Sequence, residues 1–220
     1  MSQYLISCEH GGNKIPLRFR GQVRIPKIVL ESHRGLDIGA LNIAKYLAKE
    51  SGIPLIYNDM TRLLIDFNRS FKNPNLFSEY SFCLTDDQKK ILEKRYSDYR
   101  KRVREFIDLH KKVIHLSIHS FTPVFNGDIR NAEVGLLYDP SRSLEKKYSD
   151  KLYNTFIVHG LKVRRNYPYK GTSDGLTTSL RKEFGSSYVG IEIEFNQKLV
   201  GRQKLTNEIK DVLQDVVAIF

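Results

Sequence analysis

Short apolar runs, each breaking off in a cluster of polar and glycine residues, recur along the chain. Residues 4–7, 54–57, 62–67, 113–119, 133–138, 162–165 and 188–195 are rich in β-branched and aromatic side chains and predict strands. Between them apolar residues return every three or four positions, which predicts helices over 37–50, 86–111, 144–158, 176–184 and 201–219. The second helix carries the clearest pattern. Thr85 and Gln88 form a capping-box pair, and Leu92, Tyr96, Tyr99, Val103 and Phe106 make one apolar stripe. Its other faces hold Lys89, Lys90, Lys94, Arg95, Arg100, Lys101, Arg102 and Arg104, which suits either a solvated face or a grip on phosphate. Strands alternating with helices predict an α/β layered fold with a largely parallel or mixed sheet. With no internal repeat, low-complexity tract or Pro/Ser-rich linker, residues 1–220 are expected to form a single domain.

Composition narrows the classes. The 220 residues are 40% apolar and 28% charged, which is enough material and the right balance for a globular core. The formal net charge of +11 draws anions, whether nucleic acid, acidic lipid or a small dicarboxylate. The aromatic-basic pattern of the common RNA-binding modules is missing, which weighs against a nucleic-acid partner. Two cysteines, Cys8 and Cys83, make no disulfide framework and fit a reducing compartment. Residues 1–4 have no basic, apolar leader pattern, and no apolar run reaches bilayer-spanning length. A cytoplasmic protein without membrane contact is the expectation.

Candidate chemistry gathers where the apolar runs end. The first run ends in Ser7-Cys8-Glu9-His10-Gly11-Gly12, whose glycines let the backbone turn tightly or approach a neighbour. In the run ending at His119, residues 113, 115, 117 and 119 share a face, and the following Ser120-Phe121-Thr122-Pro123 brings His119 out at the strand end. If the two strands are parallel neighbours, His10 and His119 point into one crevice. Two histidines with one carboxylate and an open position make a catalytic zinc arrangement, and Asp37 and Glu9 are the nearest carboxylates. No compact His-x-x-x-His or Cys-x-x-Cys signature is present, so a hydrogen-bonded strand histidine and a turn histidine remain the alternative. Asn68 and Arg69 offer an amide and a guanidinium fork suited to a carboxylate, or Arg69 simply pairs with Asp66. Glu192 and Glu194 share a strand face. They form either a solvated acidic edge or, if buried, a general base working on an attacking water.

These pieces, in order, resemble the N-formylglutamate amidohydrolase family. The resemblance is carried by CEHGGNKIP (8–16), HRGLDIGA (33–40), RLLIDFNRS (62–70), LSIHSFTPVFNGDIR (116–130), EVGLLYDPSR (133–142), NYPYKG (166–171), DGLTTSLRKEF (174–184) and GIEIEFNQ (190–197). It implies a three-layer α/β/α sandwich around a mixed, mostly parallel sheet, similar to zinc exopeptidases and other phosphorylase/hydrolase-like folds. It implies one Zn2+ per chain with His10 and His119 as ligands. In the related peptidases the acidic ligand lies three residues after the first histidine. That position is Asn13 here, so Asp37 becomes the first choice for the third ligand and Glu9 the second. The stretch Asp66-Phe67-Asn68-Arg69 is similar to the aspartoacylase DLNR element. This implies that Asn68 and Arg69 hold a substrate carboxylate and that Arg62 stabilises an oxyanion. The stretch Glu194-Phe195-Asn196-Gln197 resembles the family's terminal motif and implies Glu194 as base, with Asn196 at the substrate. The implied reaction is hydrolysis of the C–N bond of a small anionic N-acyl amino acid such as N-formylglutamate. Arg130 faces the oxyanion or substrate, or forms a loop salt bridge. Asp174 touches substrate or caps the helix at 176, Tyr169 lines a pocket or packs in the core or on the surface, and His33 orients Asp37 or occupies a helix-start turn.

Overall fold

In the computed structural model, which describes residues 2–200 and 205–219, the elements run β1 (Gln3–Cys8), α1 (Lys27–Leu30), α2 (Ala40–Ser51), β2 (Leu55–Tyr57), α3 (Asp86–Asp108), β3 (Val113–Phe121), β4 (Val124–Phe125), β5 (Asp128–Ile129), β6 (Val134–Leu137), α4 (Ser143–Val158), β7 (Val163–Arg165), α5 (Leu176–Phe184), β8 (Tyr188–Asn196), α6 (Gln197–Val200) and α7 (Asn207–Val217). Six strands form one sheet in the order β2-β1-β3-β8-β6-β7, and β4 and β5 form a separate hairpin. The strands β2, β1, β3 and β8 are parallel, whereas β6 lies antiparallel to β8 and β7 parallel to β6.

The pleat sorts side chains to the two faces. Ile6, Cys8, Leu116, Ile118, Ile191 and Ile193 pack on one face against α2, α4 and α7. Leu5, Val113 and Tyr188 pack on the other against α3 and α5. Helices on both faces make three layers, as the alternating pattern predicts. Every residue of β3 and β8 is buried, as expected for central parallel strands. The α3/α5 face nevertheless turns polar toward the strand C-termini, where Ser7, His115, Ser117, His119, Glu192 and Glu194 are all buried. Buried polar groups of this kind must find partners, and those partners define the site below.

Four predicted boundaries are corrected. The apolar run 62–67 is a series of turns, not a strand. The helix predicted from residue 37 begins at Ala40, because Gly39 precedes it in the left-handed region at φ 83°. This leaves Asp37 in the approach to the helix, free to point at the strand ends. The helix predicted over 86–111 stops at Asp108. The last predicted helix is present as Asn207–Val217, and positions 201–204 of that prediction lie outside the described residues. The capping box is present, with Thr85 accepting from Gln88 N and Gln88 accepting from Thr85 N. Among the described residues no helix is long and apolar enough to cross a membrane.

Candidate metal centre and cleft

The C-terminal ends of three parallel strands converge, as is usual for sites in such sheets. The backbone just past β1 presents His10, β3 presents His119, and β8 presents Glu194, which is paired in register with His119. Asp37 arrives from the turn before α2, where its N–H donates to the His10 carbonyl at 3.0 Å. Its Oδ2 lies 2.7 Å from His119 Nδ1 and 3.4 Å from His10 Nδ1. The two imidazoles meet edge to face with centroids 5.3 Å apart. The three residues are buried, and their donor atoms all lie within 4.8 Å of one another, so the group can hold a metal ion.

The outer face of each imidazole is tied to a carboxylate. His10 Nε2 lies 2.6 Å from Asp66 Oδ1, and His119 Nε2 lies 3.0 Å from Glu9 Oε2 and 2.9 Å from Ser117 Oγ. Both Nδ1 atoms are thereby turned inward toward Asp37, and His10 Nδ1 is buried without a hydrogen-bond partner. Two imidazole nitrogens and one carboxylate oxygen, with carboxylates behind the histidines, are the donor set and outer partners that zinc sites use. The charges agree. Burial drives the Asp37, Asp66 and Glu9 carboxyls up, but the cationic neighbours outweigh it. His10 and His119 hold Asp37 below the usual carboxylate range, Arg62 and His10 hold Asp66 below it, and His119 holds Glu9 below it. Burial lowers the His119 imidazole, yet Asp37 and Glu9 carry it well above its ordinary value. The pocket therefore demands positive charge, and a divalent cation with neutral histidines would supply it.

Arg62 caps the group from the cleft side, with Nη1 3.3 Å from Asp37 Oδ1 and Nη2 2.9 Å from Asp66 Oδ2. The cleft holds about 260 Å³ and is lined by His10, Asp37, His119, Arg62, Asn68, Arg69, Tyr169, Lys170, Asp174, Glu192 and Glu194, among others. Glu194 Oε2 is buried without a hydrogen-bond partner. Desolvation, reinforced by the negative Asp37 and Glu192, pushes its carboxyl up to about 8 against the pull of His119. Glu192 accepts from Thr177 Oγ1. Both glutamates are on a central strand and buried, so the solvated acidic edge is ruled out.

Some predicted site residues stand apart from the cleft lining. Asn196 spends its amide on the Arg130 and Ala132 carbonyls at 3.2 and 2.9 Å, which leaves it holding the chain rather than facing the cleft. Arg130 stacks over Phe125, Tyr169 and Phe121 at 4.6, 5.4 and 5.8 Å, with Nη1 buried and unpartnered. Glu9, the second choice for third ligand, sits behind His119 instead of beside it. Asn13 donates to the Leu30 carbonyl. Asp174 does not cap α5. It accepts from Ser70 N and Asn73 Nδ2, while Asn68 Oδ1 accepts from Leu176 N at 2.7 Å and takes the cap role. His33 lines the cleft and packs its ring on Phe125. Sequence reasoning missed Asp66 as the partner of His10, along with Ser117, Tyr99 and Lys170. The same-face spacing of Ser117 and His119 was the one available signal.

The crystal structure of the gene product Atu2144 from Agrobacterium tumefaciens is 28% identical, with a TM-score of 0.83 over 99% of this chain and 90% of that one. The N-formylglutamate amidohydrolase from Ralstonia eutropha JMP134 shares the fold at 17% identity, with a TM-score of 0.74 over 100% of this chain and 92% of that one. A search of curated proteins found no match. The family model for N-formylglutamate amidohydrolase matches residues 2–200, and the chain belongs to that family.

Proposed function

We propose that the protein hydrolyses the C–N bond of a small anionic N-acyl amino acid, N-formylglutamate or a close relative, with one zinc ion held by His10, Asp37 and His119. The observation that carries this reading is the pairing of His119 with Glu194 on adjacent parallel strands, at the floor of a cleft to which Arg62, Arg69 and Lys170 also contribute. A zinc ion there supplies Lewis acidity toward the acyl carbonyl and toward water. The chain supplies the rest. Burial and the negative Asp37 and Glu192 raise the proton affinity of Glu194 in the metal-free protein, and a divalent cation beside it would draw it back down toward the range in which a carboxylate works as a general base. Glu194 Oε2 takes a proton from the attacking water and returns it to the leaving amine nitrogen. Arg62 stays cationic between Asp37 and Asp66 and faces the oxyanion that develops on the acyl oxygen. Asn68 Nδ2 and the Arg69 guanidinium hold the substrate carboxylate, with Lys170 as a further cation of the lining. Arg130 lies behind the aromatic side chains, and Asn196 fixes its backbone.

The test is formate or acyl release by the zinc-loaded protein from a panel of N-formylglutamate, N-acetylglutamate, N-formylaspartate and a γ-glutamyl dipeptide. N-formylglutamate is expected to turn over best. The Glu194→Gln variant is expected to keep its zinc and lose about 10²–10⁴-fold in turnover. Near-normal turnover in that variant removes Glu194 from the role, and failure on every acyl amino acid overturns the proposed reaction.

A further inference from the structure

Behind His119 lies a layer of buried polar side chains that the chemistry above does not use. Glu9 is fully buried and lines no part of the cleft. Its Oε1 accepts from Tyr99 OH at 2.6 Å, and its Oε2 accepts from Ser117 Oγ at 2.5 Å while lying 3.0 Å from His119 Nε2. Side chains from α3 and β3 thus converge on one carboxylate just past the end of β1, and one of them is an imidazole. A buried ionised carboxylate is costly, and apolar side chains of the same volume would usually be at least as stable. Packing alone therefore does not account for Glu9.

His119 Nε2 hydrogen-bonds Ser117 Oγ at 2.9 Å, which itself donates to Glu9, with the carboxylate 3.0 Å from the ring nitrogen. An imidazole whose Nε2 proton is held by such a carboxylate–hydroxyl pair has its tautomer and ring plane set and presents Nδ1 as a more basic lone pair. We propose that Glu9 is a positioning residue acting through His119: held by Tyr99 and Ser117, it sets how tightly His119 Nδ1 binds the metal. The inference rests on the ligand role of His119 proposed above. It assigns α3, a helix with no residue in the metal group, a part in metal affinity through Tyr99. Asp66 makes the matching contact to His10, but it also holds Arg62 and lines the cleft, so its variants would mix several effects.

The test measures zinc affinity by competition with a chromophoric chelator, with urea unfolding of the metal-free proteins alongside. Glu9→Gln keeps the shape and removes the charge, and is expected to weaken zinc binding about 10–100-fold. Tyr99→Phe is expected to weaken it several-fold in the wild-type background and not further in the Glu9→Gln background, because Tyr99 acts only through Glu9. A purely structural role would shift unfolding without that loss of additivity. Zinc affinity in Glu9→Gln within about twofold of wild type overturns the proposal, as does an equal Tyr99→Phe effect in both backgrounds. If Glu9→Gln does not fold, Tyr99→Phe and Ser117→Ala decide, and unchanged affinity in both overturns it. A wild-type protein that binds no zinc defeats the proposed function and this inference together, whereas a zinc-binding wild type with unaffected variants defeats this inference alone.

Discussion

His115 sits two residues before Ser117 on the same face of β3, fully buried, with Nε2 2.7 Å from Ser7 Oγ and Nδ1 2.6 Å from Tyr188 OH. Burial pushes its imidazole down to about 4, with the charges of Arg181 and His119 working in the same direction and Glu9 against them. It is therefore neutral in the folded protein, and hydroxyls, which both donate and accept, suit either tautomer. In the unfolded chain a histidine titrates near 6.5. Between these two values the unfolded state holds the proton and the folded state does not, so stability rises with pH across that window. The contribution is complete above about pH 6.5 and falls away as pH drops toward 4, amounting to about 3 kcal/mol over the whole window. Glu194, raised to about 8, contributes a slope of opposite sign over the same range, so the His115 part is read as a difference. Urea unfolding at pH 5 and pH 7 should show that metal-free His115→Gln gains less stability, or loses more, with rising pH than metal-free wild type, and equal slopes in the two proteins would remove His115 as a source. The same strand shows what can be read at this scale. Residue types and strand ends picked out His10 and His119 and left Asp37 and Glu9 as candidate carboxylates, between which the family resemblance put Asp37 first. Which nitrogen of each histidine faces Asp37 was not legible, because it follows from Asp66 behind His10 and from Ser117 and Glu9 behind His119, pairings made by the fold.

The turn after β1 depends on its second glycine. Lys14 N donates to the Asp59 carbonyl and Thr61 N to the Lys14 carbonyl, so the segments around 12–14 and 58–61 run side by side. A Cβ on Gly12 would fall 2.4 Å from the Asp59 carbonyl oxygen and 2.7 Å from its Cα, which are both backbone atoms with little room to give. Gly12→Ala should therefore part the two segments and cost about 1–3 kcal/mol of stability. It should also weaken zinc binding, because the segment that shifts leads on to Arg62 and Asp66. Urea unfolding and zinc titration check both effects, and a variant matching wild type in each would mean that this approach is not under packing constraint. Legibility followed the same division between local and non-local information. The strands and amphipathic helices were readable because their periodicity is local. The run 62–67 misled because Leu63, Leu64 and Ile65 are buried without a sheet partner. Ser78 and Ser81 side chains hydrogen-bond to the Leu63 and Leu64 carbonyls, which lets apolar backbone lie in turns. A short apolar run does not by its period distinguish that arrangement from a strand. The register that sets Glu194 beside His119 joins residues 75 apart in sequence, which no window on the chain contains.

Across the whole molecule the layers are tied together by one buried ion pair that periodicity did not reveal. Glu145 lies in the first turn of α4, on one face of the sheet, and Arg181 lies in α5 on the other. They meet at the start of β8, with Arg181 Nε 2.9 Å from Glu145 Oε1. Glu145 also accepts from the N–H groups of Asp139 and Gly190, and Arg181 donates to the Gly190 and Gly171 carbonyls. The pair thus fixes both helix layers to the sheet, and through Gly171 it holds the 169–174 segment, whose Tyr169, Lys170 and Asp174 line the cleft. Removing one partner strands a charge, since Arg181 is only 7% exposed. Glu145→Ala is expected to cost about 3–5 kcal/mol in urea unfolding. Replacing both partners, Glu145→Leu with Arg181→Met, should recover part of that loss, because the buried Arg181 charge goes with its partner while Arg142, whose Nε lies 3.0 Å from Glu145 Oε1, keeps its own. The double variant should still lose turnover through a higher KM, because the Gly171 carbonyl would lose its Arg181 contact, leaving the Asn166 and Thr178 contacts to place Lys170 less well. A double variant as unstable as the single one would mean that packing, not charge, is what Glu145 provides at the junction of the layers.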